Sequence, residues 1–158
     1  MAVNVSILVL AMIAAGMIIM FYQRRKYFYL GTFFARHGMT STVIDLKNSG
    51  RYVINVTSVG DNPKTPASFK IEEGSFQKNA AVIDLSPDKL STFTYPNSQA
   101  LVANRWISHQ ESKPAAHQIK LQDRDMLLSG EKLRPIDQGK VVTAKRFMQQ
   151  KKAKSSQK

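Results

Sequence analysis

Thr42 to Thr57 reads TVIDLKNSGRYVINVT, two β-rich runs on either side of Asn48-Ser49-Gly50. Ile44 and Leu46 fall on one face of the first run, and Tyr52, Ile54 and Val56 on one face of the second. Asp45, Lys47, Arg51 and Asn55 alternate to the opposite face. Apolar-polar alternation with a period of two, interrupted by a short loop ending in glycine, is the pattern of a β-hairpin. Gly50 supplies the left-handed backbone such a loop requires.

Toward the C-terminus the same signal recurs in short pieces. Gly60 to Ala67 holds Pro63 and Pro66 and reads as a loop. Ser68 to Ile71 is expected as a short strand, ending at a Glu73-Gly74 turn. Ala80 to Leu85 is a further strand closed by Ser86-Pro87-Asp88, and Leu90 to Tyr95 alternates Phe93 and Tyr95 against Thr92 and Thr94. About five short strands at close spacing imply a small antiparallel sheet, sandwich or partial barrel. Asn97 or Ser98 is placed to cap a helix reaching about Ser112, with Val102, Ala103, Trp106 and Ile107 on its apolar side. Beyond Pro114, Ile119 to Leu121 is a sixth strand, Asp123 to Ser129 a short helix and Leu133 to Asp137 irregular. Val141 to Lys154 reads as helix, with Val141, Ala144 and Met148 on one side.

Toward the N-terminus the pattern changes. Val3 to Tyr22 reads VNVSILVLAMIAAGMIIMFY, with no charged side chain, and Gln23-Arg24-Arg25-Lys26 follows. About 20 residues at roughly 1.5 Å each match the roughly 30 Å hydrocarbon core of a bilayer. This run is therefore expected to be a single transmembrane helix. A signal peptide needs a positive segment before the apolar run, and Met1 to Ser6 has none. A buried helix of a globular core would rarely be apolar on every side over this length. Arg24, Arg25 and Lys26 form the basic flank, and the positive-inside rule places the N-terminus outside and the following domain on the cytoplasmic side.

The formal net charge is +12, and the chain has no cysteine, hence no disulfide framework and no thiolate chemistry. The charge is not spread evenly. Residues 37–139 contain all 11 acids and nearly balance them with Lys and Arg, whereas residues 140–158 contain no acid. Lys140, Lys145, Arg146, Lys151, Lys152 and Lys154 of that basic tail are the candidate contacts for a partner or for phosphate, the partner being nucleic acid, anionic lipid headgroups or an acidic protein. Val141, Ala144 and Met148 are expected to lie on that partner, because the tail has too few apolar residues to fold alone.

Catalytic signals are thin. His109 and His117 straddle Pro114 and cannot share a helix face as paired metal ligands do. Asp123-Arg124-Asp125 reads as a surface ion-pair cluster, and Glu72-Glu73 as a polar turn. No P-loop, G-x-S-x-G or H-E-x-x-H is present. Trp106 reads as a core residue, and a sheet that stacks nucleic-acid bases on Tyr52 and Phe93 would lack a basic groove.

The sequence therefore implies an anchor (1–23), a basic and aromatic juxtamembrane segment (24–38), a small β-rich α+β domain (39–139) with one or two helices, and a basic C-terminal helix or tail (140–158). The function expected is non-catalytic, with no catalytic residue, metal or cofactor. It is that of a single-pass structural or accessory subunit of a membrane assembly, such as a secretion or conjugation machine, an energy-transducing complex or a membrane-containing virion. Its expected partners are the lipid bilayer and other protein subunits. The alternative is a membrane-tethered binder of nucleic acid or anionic lipid through the basic tail.

Overall fold

The structure is a computed structural model that describes residues 2–62, 64–137 and 141–155; the side chains of residues 2–8, 11, 23–25 and 151–155 lie outside that description. The chain divides into two compact units, Met1–Leu30 and Gly31–Lys158.

The larger unit is an eight-stranded antiparallel β-barrel with one additional strand. Its strands are β1 (Gly31–His37), β2 (Thr40–Leu46), β3 (Arg51–Ser58), β4 (Ala67–Lys78), β5 (Val82–Tyr95), β6 (Ser108–Ser112), β7 (His117–Gln122), β8 (Asp125–Leu128) and β9 (Glu131–Pro135). The sheet runs β4-β3-β2-β1-β9-β8-β7-β5, and β4 pairs with β5 to close it. Phe33 opposite Pro135 and Phe34 opposite Arg134 join β1 to β9. Strand β6 lies outside this ring, on the same edge of β5 that β7 occupies further along.

The hairpin that opens the sequence forms as its alternation implies. Leu46 faces Tyr52, Ile44 faces Ile54 and Thr42 faces Val56, with Gly50 at φ +73°. These side chains point into the barrel, where Phe33, Ile83, Leu85, Ile119, Met126 and Leu133 join them with almost no exposure. Fully burying each such side chain contributes about 1.5–3 kcal/mol.

The two strands that follow are much longer than the sequence signals suggest. Glu73-Gly74 and Ser86-Pro87 each read as a turn, yet they face one another across a single ladder at a register shift between Glu73 and Gly74. Proline lacks the donor a regular ladder needs and is tolerated at such a bulge. Glycine is required opposite, because a Cβ at Gly74 would collide with the Ser86 carbonyl, the Tyr52 ring and Pro87. The bulge lets β4 and β5 run on as strands of 12 and 14 residues.

Helix α2 covers only Ser98–Val102. Asn97 caps it, its side chain accepting from the Ala100 N–H at 2.8 Å, and Asn104 at φ +53° ends it. Ser108–Ser112, expected as the rest of that helix, instead adds to β5 as β6. The helix expected over Asp123–Ser129 is the β7–β8 hairpin, turning at Asp123 with φ +56°. Leu133–Pro135, expected to be irregular, belong to β9, which follows a two-residue turn in which Ser129 and Gly130 both have positive φ.

Helix α3 (Ala144–Ser155) forms where the period of 3.6 places it. Its apolar side does not await a partner. Ala144, Phe147 and Met148, with Val141 before them, pack on the outer face of β3, β4 and β5 against Val53, Ala67, Ile71, Phe93 and Tyr95. The larger unit thus has two cores, one inside the barrel and one between the barrel wall and α2, α3 and Trp106.

The smaller unit is dominated by α1 (Ala2–Lys26). Among the described residues no helix is long and apolar enough to cross a membrane. This corrects the expected single transmembrane anchor, and with it the single-pass location with the N-terminus outside and the domain on the cytoplasmic side. The expected fold class is corrected likewise, from an anchored α+β domain to a closed β-barrel with helices.

Candidate functional site

One end of the barrel interior is apolar and filled, and the other opens into a cavity of about 430 Å³. Its walls are Ile54, Val56 and Leu128, and its polar groups come from five strands and the β8–β9 turn. Strand alternation places them: Glu72 lies opposite Ile54, and Glu131 opposite Leu128.

Glu72 is the centre of this end. The buried Tyr52 hydroxyl donates to Glu72 Oε1 at 2.6 Å, and His117 Nε2 lies 3.3 Å from the same oxygen. Burial pushes the Tyr52 phenol far above its ordinary range, with the Glu72 hydrogen bond and the negative charges of Glu72 and Asp88 acting in the same direction; Arg51 opposes them. Tyr52 is therefore a fixed donor that orients the carboxylate. Across the rim, His37 Nδ1 meets Glu131 Oε1 at 2.6 Å, in an exposed pair. Thr40, Thr42 and Ser129 complete the polar lining. The arrangement can accept hydrogen bonds from a small polar ligand. Among the described residues no group of three or more His, Cys, Asp or Glu side chains is disposed to hold a metal ion.

The residue next to Glu72 has a different task. Glu73 points to the outside of the barrel, where its Oε2 accepts from the Ala144 N–H at 3.1 Å at the start of α3. A carboxylate at a helix N-terminus satisfies an orphan donor and opposes the positive end of the helix dipole. Two positions beyond the strand pair, Asn55 holds the chain leading into that helix. Its side chain donates to the Val142 carbonyl at 3.0 Å and accepts from the Val142 N–H at 2.7 Å.

Around Phe93 the outer core is aromatic. Phe147 lies 4.7 Å from it, Trp106 5.7 Å, and His109 stacks on it at 4.5 Å. His109 Nε2 is buried without a hydrogen-bond partner, 3.6 Å from Glu111 Oε1. Lys89 binds the same Glu111 oxygen at 2.5 Å, and this hydrogen bond holds the Glu111 carboxyl below its usual range.

Of the candidates read from the basic segments, Lys145 and Arg146 are exposed on α3. Lys140 and the side chains of Lys151, Lys152 and Lys154 lie outside the described residues, as do those of Arg24 and Arg25. Lys26 Nζ sits 5.5 Å from the centroid of the Tyr27 ring. The structure therefore brings together none of the described sequence candidates. It brings together Tyr52, Glu72 and His117, and separately His37 and Glu131. No spacing motif links these residues, but extending the period of two through Glu72-Glu73 would have put the two carboxylates on opposite faces.

Comparison with protein-family models, curated proteins and solved structures finds no match.

Proposed function

We infer that the chain is a non-catalytic structural or accessory subunit of a larger protein assembly, engaged by α1 and contributing the barrel as a rigid body. One observation carries this reading. The described side chains of α1 are exposed on every side of the helix, Leu10 at 67%, Ile18 at 69% and Phe21 at 75%. Contiguous apolar surface of this extent marks an interaction site, and a helix apolar all round belongs inside a larger apolar body. The occupant proposed is the apolar surface of other protein subunits. Replacing Leu10, Ile18 and Phe21 with Ser in the full chain and purifying both forms from the native source tests this. The unchanged chain is expected to co-purify with protein subunits in stoichiometric amounts, and the triple variant to lose them. A wild-type chain recovered as a monomer, or with lipid and no other protein, contradicts the reading.

A second reading has its own support. The apolar side of α3 is consumed by the barrel's outer core, so Lys145 and Arg146 face outward from a fixed helix. Such a surface suits phosphate groups of nucleic acid or of anionic lipid. Binding to either would weaken steeply with added salt, and Lys145→Gln with Arg146→Gln would flatten that dependence. Salt-insensitive binding, or none, removes this reading.

A further inference from the structure

Strand β6 lies outside the closed ring and ends the sheet order. Ser108–Ser112 pairs with β5 from Thr94 opposite Ser108 to Leu90 opposite Ser112. Among the described residues no strand lies on its other side. Exposed edges are usually guarded by charged side chains, lysine above all, by proline, by a bulge or by shortness. The five residues of β6, SHQES, include no lysine or proline, and Glu111 is their one acid.

The strand is also complementary to itself. Two copies laid antiparallel about a twofold axis at Gln110 place Gln110 opposite Gln110, His109 opposite Glu111, and Ser108 opposite Ser112. Moving the axis one residue either way sets Glu111 against Glu111 or His109 against His109, and like groups directly opposite are disfavoured. One register is therefore selected. In it Ile107, 68% exposed, stands opposite Lys113 of the second copy, whose aliphatic stem can cover it. Residues 37–139 are nearly neutral, so the net positive charge of the chain does not concentrate at this edge.

We propose that β6 is a homodimerisation edge, at which a second copy of this chain adds its own β6 antiparallel, centred on Gln110.

The absence of native cysteine makes the test clean. Facing Cα atoms in an antiparallel pair are about 4.5–5.5 Å apart, within the roughly 4.4–6.8 Å that a disulfide spans. Ser108, Gln110 and Ser112 are exposed, so cysteine at any of them leaves both cores intact, which circular dichroism of each variant checks. Mild oxidation of full-length Gln110→Cys is expected to give a disulfide-linked dimer as the main product. Ser112→Cys alone is expected to give little, because Ser112 faces Ser108. An equal mixture of Ser108→Cys and Ser112→Cys is expected to restore the dimer. Gln110→Cys remaining monomeric on a non-reducing gel would overturn the proposal. So would equal yields from all samples, which is what random collision within an assembly held by α1 would produce; that result would leave the reading of α1 standing.

Discussion

Glu72 and Glu73 are adjacent in the chain and do opposite things. Glu72 faces the barrel interior and is held by Tyr52 at an open cavity, whereas Glu73 faces outward and caps a helix that seals a second core. The same split runs along the neighbouring strand, where Ile54 belongs to the inside and Val53 and Asn55 to the outside. This barrel wall is buried on both faces at its β3–β4–β5 side. The inner face buys shape with aliphatic packing and leaves its polar groups at one mouth. The outer face depends on a segment from the far end of the chain.

If both faces are true cores, deleting side chains from either should cost alike. Phe93→Ala on the outer face is expected to lower unfolding free energy by about 3–5 kcal/mol, and Ile44→Ala on the inner face by about 2–5 kcal/mol. Urea denaturation of the two variants measures this, and a loss under about 1 kcal/mol for Phe93→Ala would demote the outer face to a surface. Asn55→Leu sharpens the contrast, because it strands the N–H and carbonyl of Val142. At about 1–3 kcal/mol for each unsatisfied group, a loss of about 2–6 kcal/mol is expected by the same measurement.

The two glutamates should separate more gently. Glu73→Ala removes a helix cap and is expected to cost about 1 kcal/mol, with a matching loss of helical signal. Glu72→Gln keeps an acceptor for Tyr52 and is expected to change stability less than that, leaving α3 untouched. Equal effects from the two would mean that the faces are not distinct.

Alkaline pH probes both faces at once. Burial pushes the Tyr95 phenol on the outer face up to about 12, against about 10 in an unfolded chain. The unfolded state therefore loses its proton first, and stability falls as pH rises from about 10 toward about 12. Tyr95→Phe is expected to shallow that fall in a pH series of thermal melts, and Tyr52→Phe to shallow it from the inner face. Melts of both variants that track wild type across that window would show that neither phenol is shielded.

The hairpin was legible because Ile44, Leu46, Tyr52, Ile54 and Val56 obey one period and Gly50 marks its turn. The helicity of α3 was legible for the same reason, but not its target, since nothing in Val141, Ala144 and Met148 says which surface they cover. Strands β4 and β5 are not legible as single strands, because Glu73-Gly74 and Ser86-Pro87 carry turn chemistry. Only their pairing with each other shows that they form a bulge. Local propensity likewise favoured a helix through Ser112, and pairing with β5 overrode it. Tyr52, Glu72 and His117 meet across strands far apart in sequence, so no local pattern could announce them. Length and flanks make the apolar run of α1 read as a membrane span, whereas among the described residues no helix is long and apolar enough to cross a membrane.

Helix α3 is part of the fold rather than an appendage. Ending the chain after Gly139 tests it directly, with circular dichroism and thermal unfolding as the readout. Removal of Val141, Ala144, Phe147 and Met148 is expected to expose Val53, Ala67, Ile71 and Phe93, giving a lower and broader melting transition and binding of an apolar dye. A truncated chain that melts at the wild-type temperature with unchanged cooperativity would contradict the second core and return the C-terminal segment to the role of a solvated tail.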